Sequence, residues 1–218
     1  QAEDGIRDRR KSLVGSEMCI RDRRNGKVMD IGGQDWIFPD EAECLRCHTA
    51  VAGVALGPET SQMNRDFTYP QTGRTDNQLV TYDAVSMFAS PLAGDPATLP
   101  AMPDPMAETA DLGSRARAYL HTNCAACHQP GGPTPVNLDL RYTTELANTN
   151  ACDIAPTSDD LGVNMARIIA PGDASRSVLV LRTGLRDTNA MPPLGSTVVD
   201  ANGVTLLTDW VNSLANCN

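Results

Sequence analysis

Two pentapeptides constrain this chain more than any other feature of its sequence. Each has the pattern Cys-x-x-Cys-His, at residues 44–48 and again at residues 124–128, about eighty positions further on. In this pattern two thiols can add across haem vinyl groups as thioethers, and the adjacent imidazole reaches the iron. A zinc site or a redox dithiol would leave both histidines without a role. We therefore expect two covalent haem c groups, held by Cys44, Cys47, Cys124 and Cys127, with His48 and His128 as iron ligands.

The composition agrees with this expectation. A chain of 218 residues allows one large domain or two small ones, and the distance between the motifs favours two. Only 4% of the residues are aromatic, so neither unit can build a large core from side chains alone. Two porphyrins would supply the missing apolar material.

The charge distribution restricts the partners. The net charge is −9, and the first 24 residues carry +2, which leaves −11 on the remainder. We expect no nucleic acid partner and instead a redox protein with a basic patch, as electron donor or acceptor. Solubility alone is the simpler explanation of the charge.

The location follows from the expected cofactor. No stretch of 18 apolar residues occurs, so we expect no membrane span, and no signal peptide begins the sequence. Because haem c is attached outside the bacterial cytoplasm, we expect a periplasmic or extracellular protein.

Beyond the motif cysteines, Cys152 and Cys217 could form a disulfide worth about 4 kcal/mol, and buried thiols are the alternative.

The N-terminus is atypical. The five residues Ile-Arg-Asp-Arg-Arg occur at positions 6–10 and again at 20–24. The string 1–24 resembles translated sequencing-adapter text, and we exclude it, with Cys19, from the reasoning on fold and function. A genuine basic arm is the alternative.

The whole chain divides into four parts. A tail at 1–30, artefactual or disordered, is followed by a first unit at 31–89, a proline-rich linker at 90–110 and a second unit at 111–218. Five prolines between residues 90 and 105 exclude a continuous helix there. Capping residues and apolar periodicity predict helices at about 40–48, 76–88, 112–120, 174–181 and 202–214. Residues 53–74 are predicted as a loop. Each unit then consists of helix, haem, loop and terminal helix, an all-α fold.

The sixth iron ligand separates carriers from catalysts, because an iron with both axial positions filled moves electrons, whereas an open iron binds small molecules. Histidine is scarce: the sequence contains His48, His121 and His128, of which two are proximal ligands. Met191 is the strongest candidate for the second haem, since the two prolines after it stiffen its loop.

The first haem has several candidate ligands. The parallel plan of the two units places its methionine near residue 66, and Met63 is the nearest. Met102, which precedes a proline, and His121 are alternatives, and an open position is a third.

Three segments of the second unit carry a family resemblance: Arg-Ala-Arg-Ala-Tyr-Leu at 115–120, Ala-Pro-Gly-Asp at 170–173 and Met-Pro-Pro-Leu-Gly at 191–195. With the Cys-x-x-Cys-His motifs, they resemble bacterial secreted di-haem cytochromes c, whose cytochrome c-like domains often lie at the C-terminus of larger proteins. The resemblance implies two cytochrome c-like helical domains, each around one haem, with His128 and Met191 as axial ligands. Some relatives accompany quinoprotein dehydrogenases, which suggests such an enzyme as electron donor.

Electron transfer is the expected function, with no catalytic residue required. Two alternatives stay open. One is a di-haem peroxidase-like enzyme with an open first haem. The other is a subunit of a haem-conducting filament, a homo-oligomer or a membrane redox assembly.

Overall fold

The computed structural model describes residues 25–218, so the predictions for residues 1–24 lie outside the described part of the chain. Within it, 29% of the residues are helical and 11% are in strands. The expectation of an all-α fold with two cytochrome c-like helical domains is therefore wrong. The first unit contains two β-hairpins, and much of the second is irregular backbone between short helices.

The first hairpin pairs β1 (Lys27–Ile31) with β2 (Gln34–Phe38) in antiparallel register and crosses the predicted tail boundary. Its turn is formed by Gly32 and Gly33, with φ of 66° and 86°. A two-residue turn with positive φ at both positions matches the twist of the strands, and glycine adopts it without strain. The second hairpin pairs β3 (Asp66–Tyr69) with β4 (Arg74–Asn77) inside the predicted loop.

Three short helices complete the first unit. The first, α1 (Glu41–Cys44), begins with a capping box between Asp40 and Glu43, and α2 (Thr60–Met63) lies in the predicted loop. The third, α3 (Gln78–Ala84), is capped by the Asn77 side chain, as predicted. Leu79 is buried, whereas Val85 is 62% exposed because the helix ends before it.

The proline-rich segment contains only a 3₁₀ turn at Pro96–Thr98 and packs against the first unit. The buried Asn64 connects the two, because its amide nitrogen donates to the carbonyls of Pro96, Leu99 and Pro100 at 2.8–3.3 Å. The Met102 amide also donates to the Ser61 carbonyl at 2.8 Å.

The second unit has three α-helices among the described residues: α4 (Leu112–Cys124), α5 (Val178–Thr183) and α6 (Ala201–Ser213). Asp111 and Asp200 cap α4 and α6, which agree with the predicted helices to within a few residues. The predicted helix at 174–181 is instead a 3₁₀ turn, Ala174–Arg176, followed by α5. The break lies at Ser177, whose buried hydroxyl donates to the Asp173 carbonyl at 2.9 Å.

The main core lies in this unit, where α4 and α6 pack together over the irregular segments. Its members are buried aliphatic and aromatic side chains, among them Tyr119, Leu120, Ile169, Leu207 and Trp210. The Cys152–Cys217 disulfide, confirmed by the structure, ties the C-terminus to this core. Every helix in residues 25–218 is too short or too polar to cross a bilayer.

Candidate functional site

Both Cys-x-x-Cys-His motifs adopt the same local conformation at the end of a helix. In the first, the amides of Cys47 and His48 donate to the Cys44 carbonyl at 3.2 and 3.0 Å. In the second, Cys127 and His128 donate to the Cys124 carbonyl at 3.1 and 2.8 Å. Positions i, i+3 and i+4 of a helical turn share one face. Each motif therefore places its two cysteines and its histidine on one face of the turn.

The His48 ring is oriented by a backbone carbonyl. Its Nδ1 lies 2.6 Å from the Val54 oxygen, and since a carbonyl only accepts, Nδ1 carries the proton. The lone pair is then on Nε2, which is the arrangement of a metal-binding histidine with its second nitrogen hydrogen-bonded. Val54 has a φ of 67°, which β-branched residues rarely adopt and which costs on the order of 1–3 kcal/mol. Sequence reasoning missed this contact because a backbone carbonyl has no side-chain signature.

His128 has a different environment. Its Nδ1 is buried and has no hydrogen-bond partner. Burial lowers the pKa of this imidazole, which favours the neutral form that binds metals. A buried nitrogen without a partner costs about 1–3 kcal/mol, and this ring lacks the Nδ1 hydrogen bond that orients His48. It is the neutral form of the ring that fits the role of an iron ligand.

The thiols of the second motif are poor candidates for thiolate chemistry. Burial raises the pKa of Cys124 to about 12. Burial and the neighbouring Cys47 also raise the pKa of Cys127. Reactive dithiols need depressed pKa values. Across residues 25–218, moreover, no group of three or more His, Cys, Asp or Glu side chains is arranged to hold a bare metal ion.

The structure brings the two motifs together, although they are eighty residues apart. The Sγ atoms of Cys47 and Cys127 lie 3.9 Å from each other, and the Cys127 Sγ lies 3.8 Å from the Arg46 carbonyl oxygen. Beside them, Gln62 of α2 donates to the Thr122 hydroxyl of α4 at 2.9 Å. The two attachment positions are thus neighbours within one site.

His121 is occupied in this contact between the units. Its Nδ1 accepts from the Tyr142 amide at 3.1 Å, and its Nε2 lies 3.1 Å from a Glu59 carboxylate oxygen. With Nδ1 as acceptor, Nε2–H donates to Glu59. Both nitrogens are engaged, so the imidazole has no lone pair for iron.

The methionine candidates remain distributed over the two units. Met191 is half-buried in the loop before α6, and its amide donates to the Arg182 carbonyl at 3.0 Å. Met63 is half-buried at the end of α2, while Met102 is buried and its backbone pairs with Ser61 of the same helix. Both candidates of the first unit therefore lie at α2, which also contacts the second unit.

The apolar surface around the first motif fits a large apolar group. Among described residues before 106, Leu79 and Met102 are the only buried hydrophobic side chains. In contrast, Leu45 inside the motif is 66% exposed and Val54 is 59% exposed, with Val51 and Leu56 exposed nearby. Exposed apolar side chains concentrated in one segment indicate a binding surface. A porphyrin bound at the first motif would cover such side chains.

Comparisons with known proteins give no relative. No family model matches the chain, and neither a curated protein nor a solved structure shows significant similarity to it. The resemblance to di-haem cytochromes c therefore depends on the short motifs themselves.

Proposed function

We propose that this chain is a di-haem c-type cytochrome that transfers electrons outside the bacterial cytoplasm. The observation that supports this most is the pair of Cys-x-x-Cys-His turns, which share one geometry and bring Cys47 and Cys127 within 3.9 Å of each other. Electron exchange falls steeply with distance, so neighbouring attachment positions suit a carrier that passes electrons between two centres.

Each residue has a defined part in this proposal. Cys44 and Cys47 hold one haem and Cys124 and Cys127 the other, which converts the four half-buried thiols into thioethers that do not ionise. His48 and His128 supply the proximal nitrogens, and the Val54 carbonyl fixes the His48 tautomer. When bound, each haem supplies an iron that cycles between ferrous and ferric states. The protein holds the imidazoles, and the second motif is half-buried around its buried Ala125.

The sixth ligands are methionines in this proposal, with Met191 for the second haem and Met63 for the first. Thioether ligation raises the reduction potential and closes the iron to small molecules. The disulfide supports an oxidising compartment, the periplasm or the exterior. The acidic chain suits a basic redox partner, a quinoprotein dehydrogenase among the candidate donors.

The first test measures covalent haem. Expressed in a bacterium with haem c maturation, the protein should retain two haems per chain after acid-acetone extraction, read by denaturing mass and pyridine haemochrome spectra. Replacing Cys44 and Cys47 by Ala, or Cys124 and Cys127 by Ala, should each remove one haem. The matched control, Cys152→Ala with Cys217→Ala, should retain both. A chain with no covalent haem would overturn the proposal.

The second test uses carbon monoxide on the dithionite-reduced protein. We expect no shift of the Soret band in the parent protein, because both irons are capped. Met191→Ala should open one haem and Met63→Ala the other, while Met165→Ala, at an exposed position, should open neither. If the parent binds the gas at one haem, the capped-carrier assignment fails and the peroxidase-like alternative gains support.

A further inference from the structure

The loop that carries Met191 makes little use of its own backbone for support. It consists of residues 191–198, and we call it the Met191 loop. Pro192 and Pro193 have no amide hydrogen to donate. Within residues 25–218, the amides of residues 194–198 donate no hydrogen bond either. The position of this loop therefore depends on groups from other segments.

The start of the Met191 loop is attached to α5. The Met191 amide donates to the Arg182 carbonyl at 3.0 Å. The Arg182 guanidinium donates to the carbonyl of Asn189, two residues before Met191, at 3.3 Å. This side chain is only 14% exposed. Both the backbone and the side chain of one residue of α5 thus hold the chain where the loop begins.

The end of the Met191 loop is attached to the same segment by Arg186. The Nε and Nη2 of this half-buried side chain both donate to the Val198 carbonyl, at 3.0 and 2.7 Å. Its Nη1 donates to the Thr183 carbonyl at 3.0 Å and to the Leu185 carbonyl, where α5 ends. None of the salt bridges within residues 25–218 includes Arg186. Its guanidinium is engaged with main-chain carbonyls, in charge-assisted bonds that are stronger than neutral ones.

We propose that Arg186 is the positioning residue that holds Met191 at the iron of the second haem. This inference rests on the proposed function, in which Met191 is the sixth ligand. Arg186 acts through the Met191 loop, because a guanidinium donates hydrogen bonds and has no lone pair for a metal. With both loop ends tied to residues 182–186, the thioether is held in place before it binds. Groups that orient a ligand in this way strengthen its bond to the metal.

The experiment compares haem-loaded variants of the full chain by two measurements. One is carbon monoxide binding to the dithionite-reduced protein, and the other is hydrogen exchange of the Met191 amide, which reports opening of the loop itself. Arg186→Met should open one haem to the gas, as Met191→Ala does, and weaken the sulfur-to-iron charge-transfer band of the ferric protein. Combining both substitutions should open no further haem. In Arg186→Met, the Met191 amide should exchange about tenfold faster or more, because the bonds at the loop end are lost.

Three controls separate positioning from general stability. Arg65→Met removes a guanidinium from a surface ion pair with Asp104 and should behave like the parent. Arg186→Lys keeps the charge and some of the donors, so its effects should be smaller than those of Arg186→Met. The Ile169 amide, which donates to the Ala151 carbonyl at 3.0 Å in the core, should exchange as in the parent. If Arg186→Met accelerates exchange of this core amide as well, the comparison is made with Arg186→Lys.

The outcomes distinguish this inference from the proposed function. A Met191 amide that exchanges as in the parent in both Arg186 variants would overturn the positioning role. A haem that stays closed in Arg186→Met but opens in Met191→Ala would overturn it too, and would leave the proposed function intact. If Met191→Ala itself stays closed to the gas, Met191 is not the ligand, and the ligation in the proposed function fails together with the positioning role.

Discussion

At the scale of single residues, Gly203 sets the distance between α4 and α6. A Cβ atom at this position would lie 2.2 Å from two atoms of the Tyr119 side chain, far inside van der Waals contact. The Tyr119 hydroxyl donates to Asp200 at 3.0 Å, and the same carboxylate caps α6 through the Gly203 amide. Asp200 hydrogen-bonds both to the Tyr119 hydroxyl and to the Gly203 amide, so the ring is held against α6 and cannot move aside for a methyl group.

Gly203→Ala should therefore destabilise the protein by about 1–3 kcal/mol, the usual cost of overpacking a core, even though alanine favours helix formation. Chemical denaturation followed by circular dichroism measures this difference. Gly57→Ala is the control, because a Cβ at that position meets no atom within 4 Å. A Gly203→Ala protein as stable as the parent would show that the helices separate easily.

At the scale of secondary-structure elements, the correct predictions are those that depend on short-range signals. The helix starts predicted at 76, 112 and 202 lie within two residues of the observed caps Asn77, Asp111 and Asp200, because a cap acts on the next three residues. The first hairpin had a signal as well, the Gly32-Gly33 pair between two apolar runs, but the assignment of residues 1–30 to a tail obscured it. The carbonyl partner of His48 and the contacts of His121 depend on tertiary packing and had no signal.

Asn64 links three segments of the chain. Besides the three carbonyls of the proline-rich segment, its side-chain oxygen accepts from the Asn77 amide at 2.9 Å, and Asn77 in turn caps α3. One buried side chain thus connects the prolines, β4 and α3. The five prolines between residues 90 and 105 predict an extended linker. No local sequence signal indicates that this linker packs against the first unit.

Asn64→Ala should leave these carbonyls without donors and destabilise the first unit by about 2 kcal/mol, within the range for unsatisfied buried groups. Hydrogen exchange of the Met102 amide, which bonds to Ser61, should become faster by about tenfold or more. Asn202→Ala, on the exposed side of α6, should leave this amide unchanged. Equal exchange in both variants would contradict the linking role of Asn64.

At the scale of the whole molecule, the packing of the two units against each other determines how close the two motifs lie. The sequence gives each motif separately, and their contact through Cys47 and Cys127 results from packing between distant segments, including Gln62 with Thr122 and Glu59 with His121. Long-range packing of this kind has no periodic or spacing signature, so it could not be predicted from a single sequence.

This arrangement predicts an optical property. Under the proposed function two haems are attached at neighbouring positions and couple, so the haem-loaded protein should show a Soret circular dichroism signal with two lobes of opposite sign. Removing either cysteine pair of a motif should abolish the couplet and leave one lobe, while removing Cys152 and Cys217 should preserve it. A parent spectrum equal to the sum of the two single-haem variants would contradict the close approach of the motifs.

The 3.9 Å between the Cys47 and Cys127 sulfurs also has a consequence for biogenesis. Under the proposed function a maturation enzyme has to reach each pentapeptide, and the contact between the motifs narrows that access once the two units have closed. Under the proposed function, attachment therefore precedes assembly of the units, and the order of events is imposed by steric access. Mutations that accelerate closure would then lower the yield of mature protein without altering the stability of the molecules that are completed.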